Sequence, residues 1–344
     1  MKFDFCIGNP PYQEETIGDN DTYAPPVYNK FLEGAYKISD KVEMVHPARF
    51  LFNAGSTPKA WNQEMLNDKH LKVLSYSERS SDVFANTDIK GGVVITYHDT
   101  GRDFGAIEIF TPFEELNSIL HKVLKHAEFK SFSDIIVTSY AYHFLPVMYE
   151  EHPEAKGKLS DGHDYDFKSN CLEKLPTVFS VNKPTDSDQY LRILGRINNE
   201  RVYRYIKARY VNDVDNLHHY KAFMSGATGT GVFGETVASP IVGYPGDGST
   251  ETFLSIGDFS SESEVHAVIK YVKCKFTRTL YSVLKKTQAN TPGKWEHVPL
   301  QDFTSASDID WSVPIKAIDQ QLYKKYNLSD EEIRFIETHV KEMA

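Results

Sequence analysis

The sequence predicts an α/β fold whose first 105 residues form part of a doubly wound sheet, followed by a mixed α+β region. Three observations carry this. Short apolar runs alternate with stretches of period 3.6, glycine and proline punctuate the junctions, and the order reads strand, helix, strand, helix, strand, strand.

Phe3–Ile7 is nearly continuous apolar chain, ended by Gly8 and two prolines, and reads as a buried strand. Pro25-Pro26 open a helix with Val27, Phe31, Leu32, Ala35 and Tyr36 on one face. Val42–His46 is a second strand, stopped by Pro47. Ser56 is placed to cap a helix with Pro58 in its first turn and Trp61, Met65 and Leu66 on its apolar side. His70–Tyr76 and Val93–Tyr97 are further strands, and the absence of a helix between them predicts an antiparallel hairpin at a sheet edge.

Beyond Gly105, aromatic residues and turns multiply and strands shorten. Ile135–Tyr140, Thr177–Val181 and Arg201–Ala208 are expected strands, and Lys156–Asp166 a polar loop. One long helix is expected over 262–286, striped by Val265, Val268, Ile269, Val272, Phe276, Leu280 and Val283. Two helices close the chain, one over Ile315–Tyr323 and one after Ser329, where Ser-Asp-Glu-Glu reads as a capping box. The expected division is 1–105, 106–300 and 301–344.

At 344 residues the chain can bury more than one core. It has no apolar run of about 18 residues and no basic-then-apolar leader, so neither a membrane span nor a signal peptide is expected. Cys6, Cys171 and Cys274 are odd in number and far apart. They suit a reducing cytoplasm, with no disulfide framework and no zinc spacing. The formal net charge is −10. Basic residues nevertheless cluster: seven Lys or Arg without an acid from Lys270 to Lys294, and seven from Arg192 to Lys221 against Glu200, Asp213 and Asp215. An acidic chain can still carry a basic face.

Residues 9–12 read Asn-Pro-Pro-Tyr. The exocyclic amino nitrogen of a base is a poor nucleophile because its lone pair is delocalised into the ring. Methylating it requires two acceptors that draw it toward tetrahedral geometry in line with a methyl donor. The Asn9 side-chain oxygen and the Pro10 carbonyl are such acceptors, and Pro10 and Pro11 stiffen the turn that carries them. Tyr12 adds a π-face for an unstacked base.

Strand-then-Asn-Pro-Pro-Tyr, followed by His46-Pro47-Ala48-Arg49-Phe50-Leu51 and the later hairpin, resembles the adenine-N6 DNA methyltransferases, specifically the Eco57I-like restriction-modification methylases. Val298-Pro299-Leu300-Gln301-Asp302-Phe303 and Asp308-Ile309-Asp310-Trp311 extend the resemblance toward the C-terminus. It implies the second half of a Rossmann-like methyltransferase sheet in 1–105, a target-recognition domain in 106–300 and a helical tail. Asn9, Pro10, Pro11 and Tyr12 then carry catalysis. Tyr12 and Phe84, in Ser81-Asp82-Val83-Phe84, stack on the flipped base, and double-stranded DNA is the partner. No metal is needed for methyl transfer. Arg49 receives no role.

The resemblance also implies S-adenosyl-L-methionine as methyl donor, bound by elements that precede the motif in the family. Eight residues precede it here. The chain alone is therefore expected not to bind the donor. The glycine-rich run with Gly226, Gly229 and Gly231 is the remaining cofactor candidate, but no helix is expected after it. Asp19 and Asp21 lie in a polar loop after the motif and receive no role. Phe3–Ile7 would stand as an apolar edge strand, expected to be covered by a separate polypeptide, by a second copy of the chain, or by local elements such as the tail helices in a chain that has lost activity. Lys270, Lys273, Lys275, Arg278, Lys285 and Lys286 are the candidate phosphate contacts. The alternative reading is a non-catalytic DNA-binding or specificity subunit, or a decayed methylase. A nuclease reading finds only Glu154-x-Lys156.

Overall fold

The computed structural model of the chain describes residues 3–14, 24–85, 87, 89, 91–138, 140–285 and 287–343. It is mixed α/β with several small sheets. It divides into two units, Met1–Asn117 and Ser118–Ala344. The boundary thus lies beyond residue 105, and the segment 301–344 is part of the second unit rather than a separate tail.

In the first unit, β1 (Cys6–Gly8) runs parallel to β2 (Lys41–Pro47), with Cys6 opposite Val42 and Gly8 opposite Met44. Between them lies α1 (Tyr28–Ile38). Then follow α2 (Lys59–Asn67), β3 (Leu71–Ser77) and β4 (Val93–Asp99), and the strand order is β1-β2-β4-β3. β4 is antiparallel to both neighbours, so the expected hairpin forms with its first strand outermost. The core gathers Leu32 and Ala35 from α1, Val42 and Met44 from β2, Trp61, Met65 and Leu66 from α2, and Val94 from β4. A helix, α3 (Glu114–Leu124), spans the boundary.

Three local expectations are corrected. The first strand is Cys6–Gly8, not Phe3–Ile7, because β2 begins only at Lys41. Upstream, Phe3 merely bridges Ser39, and its amide donates to the Ile38 carbonyl at 2.7 Å. The run is also not buried: Phe3, Phe5 and Ile7 are 51%, 43% and 72% exposed. Phe31, expected on the apolar face of α1, is exposed as well. The N-cap of α2 is Pro58 rather than Ser56.

The second unit holds β5 (Ile136–Val137), α4 (Pro146–Glu151), α5 (Cys171–Lys174), β6 (Tyr190–Ile197), β7 (Glu200–Lys207), β8 (Tyr220–Ser225), β9 (Ile241–Gly243), β10 (Asp247–Ser249) and β11 (Phe253–Phe259). The strands form two sheets, of order β10-β6-β7 and β5-β11-β8-β9. β6 and β7 form a hairpin whose turn residues Asn198 and Asn199 both have positive φ, 50° and 65°. That backbone suits a tight two-residue turn and the Asn residues that supply it. Ile193 and Ile206 pack into a core with Phe144, Phe167, Phe179 and Tyr210. Of the expected strand over 177–181, only a bridge from Ser180 to Tyr205 exists.

The expected long helix is two: α6 (Glu262–Lys273) and α7 (Lys275–Leu284). Cys274, at φ −55° and ψ 142°, breaks them. The Asp319 carboxylate replaces the missing helical acceptors, taking the amides of Lys275 at 3.1 Å and Phe276 at 2.9 Å. Then come α8 (Ile315–Lys325) and α9 (Asp330–His339). α9 starts with the capping box read from the sequence: Ser329 Oγ accepts the Glu332 amide and the Glu332 carboxylate accepts the Ser329 amide.

Candidate functional site

Pro10 and Pro11 lack amide hydrogens and end β1, so the chain turns off the sheet edge at Asn9. It is caught again at once. The Tyr12 carbonyl accepts the Val27 amide at 3.1 Å, and the Glu14 amide donates to the Pro25 carbonyl at 2.9 Å. The motif is thereby tied to the start of α1. Asn9 is exposed, and among the described residues nothing donates to its side chain or to the Pro10 carbonyl. Both acceptors are unspent.

Asn9, Tyr12 and Phe84 line one cleft of about 620 Å³, a size usual for a small-molecule site. Tyr12 is half-buried, burial raises its phenol pKa, and its hydroxyl has no hydrogen-bond partner. Phe84 is held by the β3–β4 loop, which closes around Ser80. Its amide donates to the Ser80 carbonyl at 2.8 Å, and the Ser80 hydroxyl donates to the Thr87 carbonyl at 2.9 Å. Pro10 lines a neighbouring groove instead, and Pro11 is exposed and lines neither.

Sequence reasoning missed one wall of the cleft. Tyr28 stacks on His46, with ring centres 5.5 Å apart, and edges onto Trp61. His46 is fully buried; burial lowers its pKa to about 4 despite its bond to Pro47. The neutral imidazole donates from Nδ1 to the Pro47 carbonyl, leaving Nε2 to accept the Thr96 hydroxyl at 2.8 Å. Thr57 donates to Asn62 at 2.6 Å and shares a hydrogen bond with Tyr28. Arg49 also lines the cleft. A Cβ at Gly91 would fall 2.7 Å from its Cγ, so Gly91 is the sequence signal that a long side chain passes there.

Asn9 also borders a second groove, of about 660 Å³, lined by Cys6, Gly8, Pro10, Phe31, Ile38 and Met44. This groove runs beside β1, which is paired on one side only. Among the described residues, no carboxylate lines either groove. The described residues around Asn9 thus supply no ribose-holding carboxylate for S-adenosylmethionine.

The glycine-rich run does not fit it either. The Glu235 carboxylate fills the loop, accepting the amides of Thr230 at 2.6 Å and Gly231 at 2.8 Å, and pairs with Lys285. Burial would raise its pKa, but the Lys285 ammonium and these amides outweigh burial and hold it at about 2. A Cβ on Gly229, at φ +59°, would collide with that carboxylate. Gly226 is hydrogen-bonded to the Thr252 carbonyl at 2.8 Å.

The basic helix face is corrected too. Arg278 is fully buried and donates to the carbonyls of Lys273, Glu235 and Lys341. Lys285 is buried against Glu235. Lys270 donates to the carbonyls of Trp311, Ser312 and Val313, and Lys275 to Glu337 at 2.7 Å. Lys270 and Lys275 are thus held by the C-terminal segment, Lys285 by Glu235, and Arg278 by both. Lys270, Lys273 and Lys275 line one cleft together with Lys316. Lys286, Asp19 and Asp21 lie outside the described residues. No helix among the described residues is long and apolar enough to cross a membrane, and they hold no metal-binding cluster of His, Cys, Asp and Glu.

The first sheet thus ends at Asn9 and the Pro10 carbonyl, beside an aromatic cleft. In comparison with known proteins, residues 1–84 match the Eco57I restriction-modification methylase family. An uncharacterized adenine-specific methylase of Mycoplasma pneumoniae (strain ATCC 29342 / M129 / Subtype 1) is 30% identical over 95 residues, which is 27% of this chain and 22% of the relative. Together these support an adenine methyltransferase of the Eco57I-like group. The match spans about a fifth of the relative's length.

Proposed function

We propose that the chain carries the target-adenine site of a site-specific DNA adenine-N6 methyltransferase in a restriction-modification system. The observation that carries this reading is Asn9, whose side chain is unspent and borders both the aromatic cleft and the apolar groove. In this reading the adenine amino group donates to Asn9 and the Pro10 carbonyl, which draws its lone pair toward the donor methyl group. Tyr12 and Phe84 hold the ring by stacking. The second unit reads the DNA.

S-adenosyl-L-methionine is the methyl donor in this reading. In this reading its site is completed by a further protein surface laid along β1, the edge strand of the first sheet. The exposed Phe3, Phe5 and Ile7 support a polypeptide partner, or a second copy of the chain, at that edge. The alternative reading is a DNA-specificity subunit without its own transfer activity.

The test is transfer of a labelled methyl group from S-adenosylmethionine to duplex DNA, with the chain alone and in its assembly with whatever covers β1. Asn9→Ala should abolish transfer and leave DNA affinity within about twofold, since phosphate contacts dominate affinity. A fully active Asn9→Ala overturns the assignment. Transfer absent from every assembly leaves the specificity-subunit reading.

A further inference from the structure

Of the six cations from Arg192 to Arg209, three are paired with acids, and Arg204 donates to the Tyr203 carbonyl. Arg192 forms a bidentate pair with Asp247 at 2.7 and 2.6 Å, Lys207 pairs with Asp188 and Arg209 with Glu151. Arg196 and Arg201 differ. They stand directly opposite one another on β6 and β7, beside the exposed turn Asn198-Asn199. Opposed residues share a sheet face, and like charges so placed repel. Among the described residues no carboxylate forms an ion pair with either guanidinium. The neighbouring acid, Glu200, stands opposite Ile197 on the other face.

Both arginines are held in place without being neutralised. Their guanidinium carbons lie 5.6 and 6.0 Å from the centre of the same buried ring, Phe253. Arg196 donates to the Asn199 carbonyl at 3.1 Å and Arg201 to the Ser239 carbonyl at 3.3 Å. The Nε of Arg196 has no partner. A repulsive pair, positioned by a ring and by carbonyls yet given no counter-ion, calls for an external polyanion.

We propose that the tip of the β6–β7 hairpin is a DNA-contacting element, with Arg196 and Arg201 neutralising backbone phosphates of double-stranded DNA. This rests on the DNA reading above. A two-stranded antiparallel ribbon fits the major groove. The exposed Asn198 and Asn199 side chains each carry the donor and acceptor that match the edge of adenine.

The test is fluorescence anisotropy of a labelled duplex of mixed sequence, titrated with the full chain over a range of salt. The double variant Arg196→Gln/Arg201→Gln should lose about tenfold or more in affinity, and its log–log salt slope should shrink by roughly 2, near 0.9 per lost phosphate contact. Arg201→Gln alone, at an exposed position, should shrink the slope by about 1 without disturbing packing. Arg196→Lys/Arg201→Lys should keep the slope, because the charge remains. Wild-type binding with affinity and slope unchanged in the glutamine variants overturns the hairpin assignment and leaves the DNA reading standing. No wild-type binding even at low salt overturns the DNA reading, and this proposal with it.

Discussion

Tyr28 and His46 lie face to face, ring centres 5.5 Å apart and planes 15° from parallel, and Tyr28 lines the same cleft as Asn9 and Tyr12. The imidazole that backs this wall is buried and neutral, so the wall is sensitive to acid. Above pH 6.5 His46 is uncharged in both folded and unfolded chains. Between 6.5 and about 4 the unfolded chain takes up a proton that the folded one refuses. Stability conferred by the first unit should therefore fall as pH drops through that window, by up to about 3 kcal/mol. Proton NMR of the His46 ring checks the cause, since a midpoint near 6.5 in the folded protein would refute it.

Tyr12→Phe should hold or raise stability, by up to about 1 kcal/mol, because it removes a buried hydroxyl that has no partner. The ring remains, so stacking on a base should survive. Tyr12→Ala should lose both packing and base affinity. Thermal unfolding separates the two variants; a phenylalanine variant destabilised by more than about 1 kcal/mol would mean that the hydroxyl is bonded in solution.

Asp319 titrates in the opposite sense to His46. Burial lifts its pKa from 3.8 to about 6 against the pull of the two amides it caps. Between those values the unfolded chain ionises while the folded one keeps its proton, so stability is lost as pH rises through the window. Asp319→Asn should flatten this dependence. Asp319→Ala should cost about 1–2 kcal/mol at any pH by uncapping α7. Urea midpoints at pH 4, 5, 6 and 7 report both effects, and a wild-type profile equal to that of Asp319→Asn would refute the titration.

Glu235 and Lys285 hold the 226–235 loop shut. Lys285→Met should destabilise the second unit by about 3 kcal/mol or more, because it strands a buried carboxylate. Glu235→Gln/Lys285→Met should recover much of that loss. The Glu235 pKa near 2 makes its contribution present above 4.5 and lost as pH falls toward 2. A double variant no more stable than the single one would show that the loop depends on the charges themselves.

Several features were legible in local sequence. Gly8 and the two prolines end β1, Pro47 ends β2, and Ser329 with Glu332 opens α9, because each acts on its own backbone within a few residues. Asn9, Tyr12 and Phe84 could be named beforehand as chemistry, and the fold brings them to one cleft. Tyr28 and Arg49 could not, since their place at that cleft follows from stacking on His46 and from the room beside Gly91.

The basic residues show the limit most clearly. Charge along the chain counts cations but not their partners. Lys270, Lys275, Arg278 and Lys285 are adjacent in sequence to no acid, yet the chain's C-terminal carbonyls, Glu337 and Glu235 reach them from far away. Arg196 and Arg201 sit near an acid in sequence and, among the described residues, form no ion pair with one. Backbone punctuation, such as the prolines that end β1 and the capping box of α9, is local, and the sequence determines it directly. Burial of an ion, the break at Cys274 and the choice of which cations face solvent are set by long-range packing, and only the tertiary structure decides them.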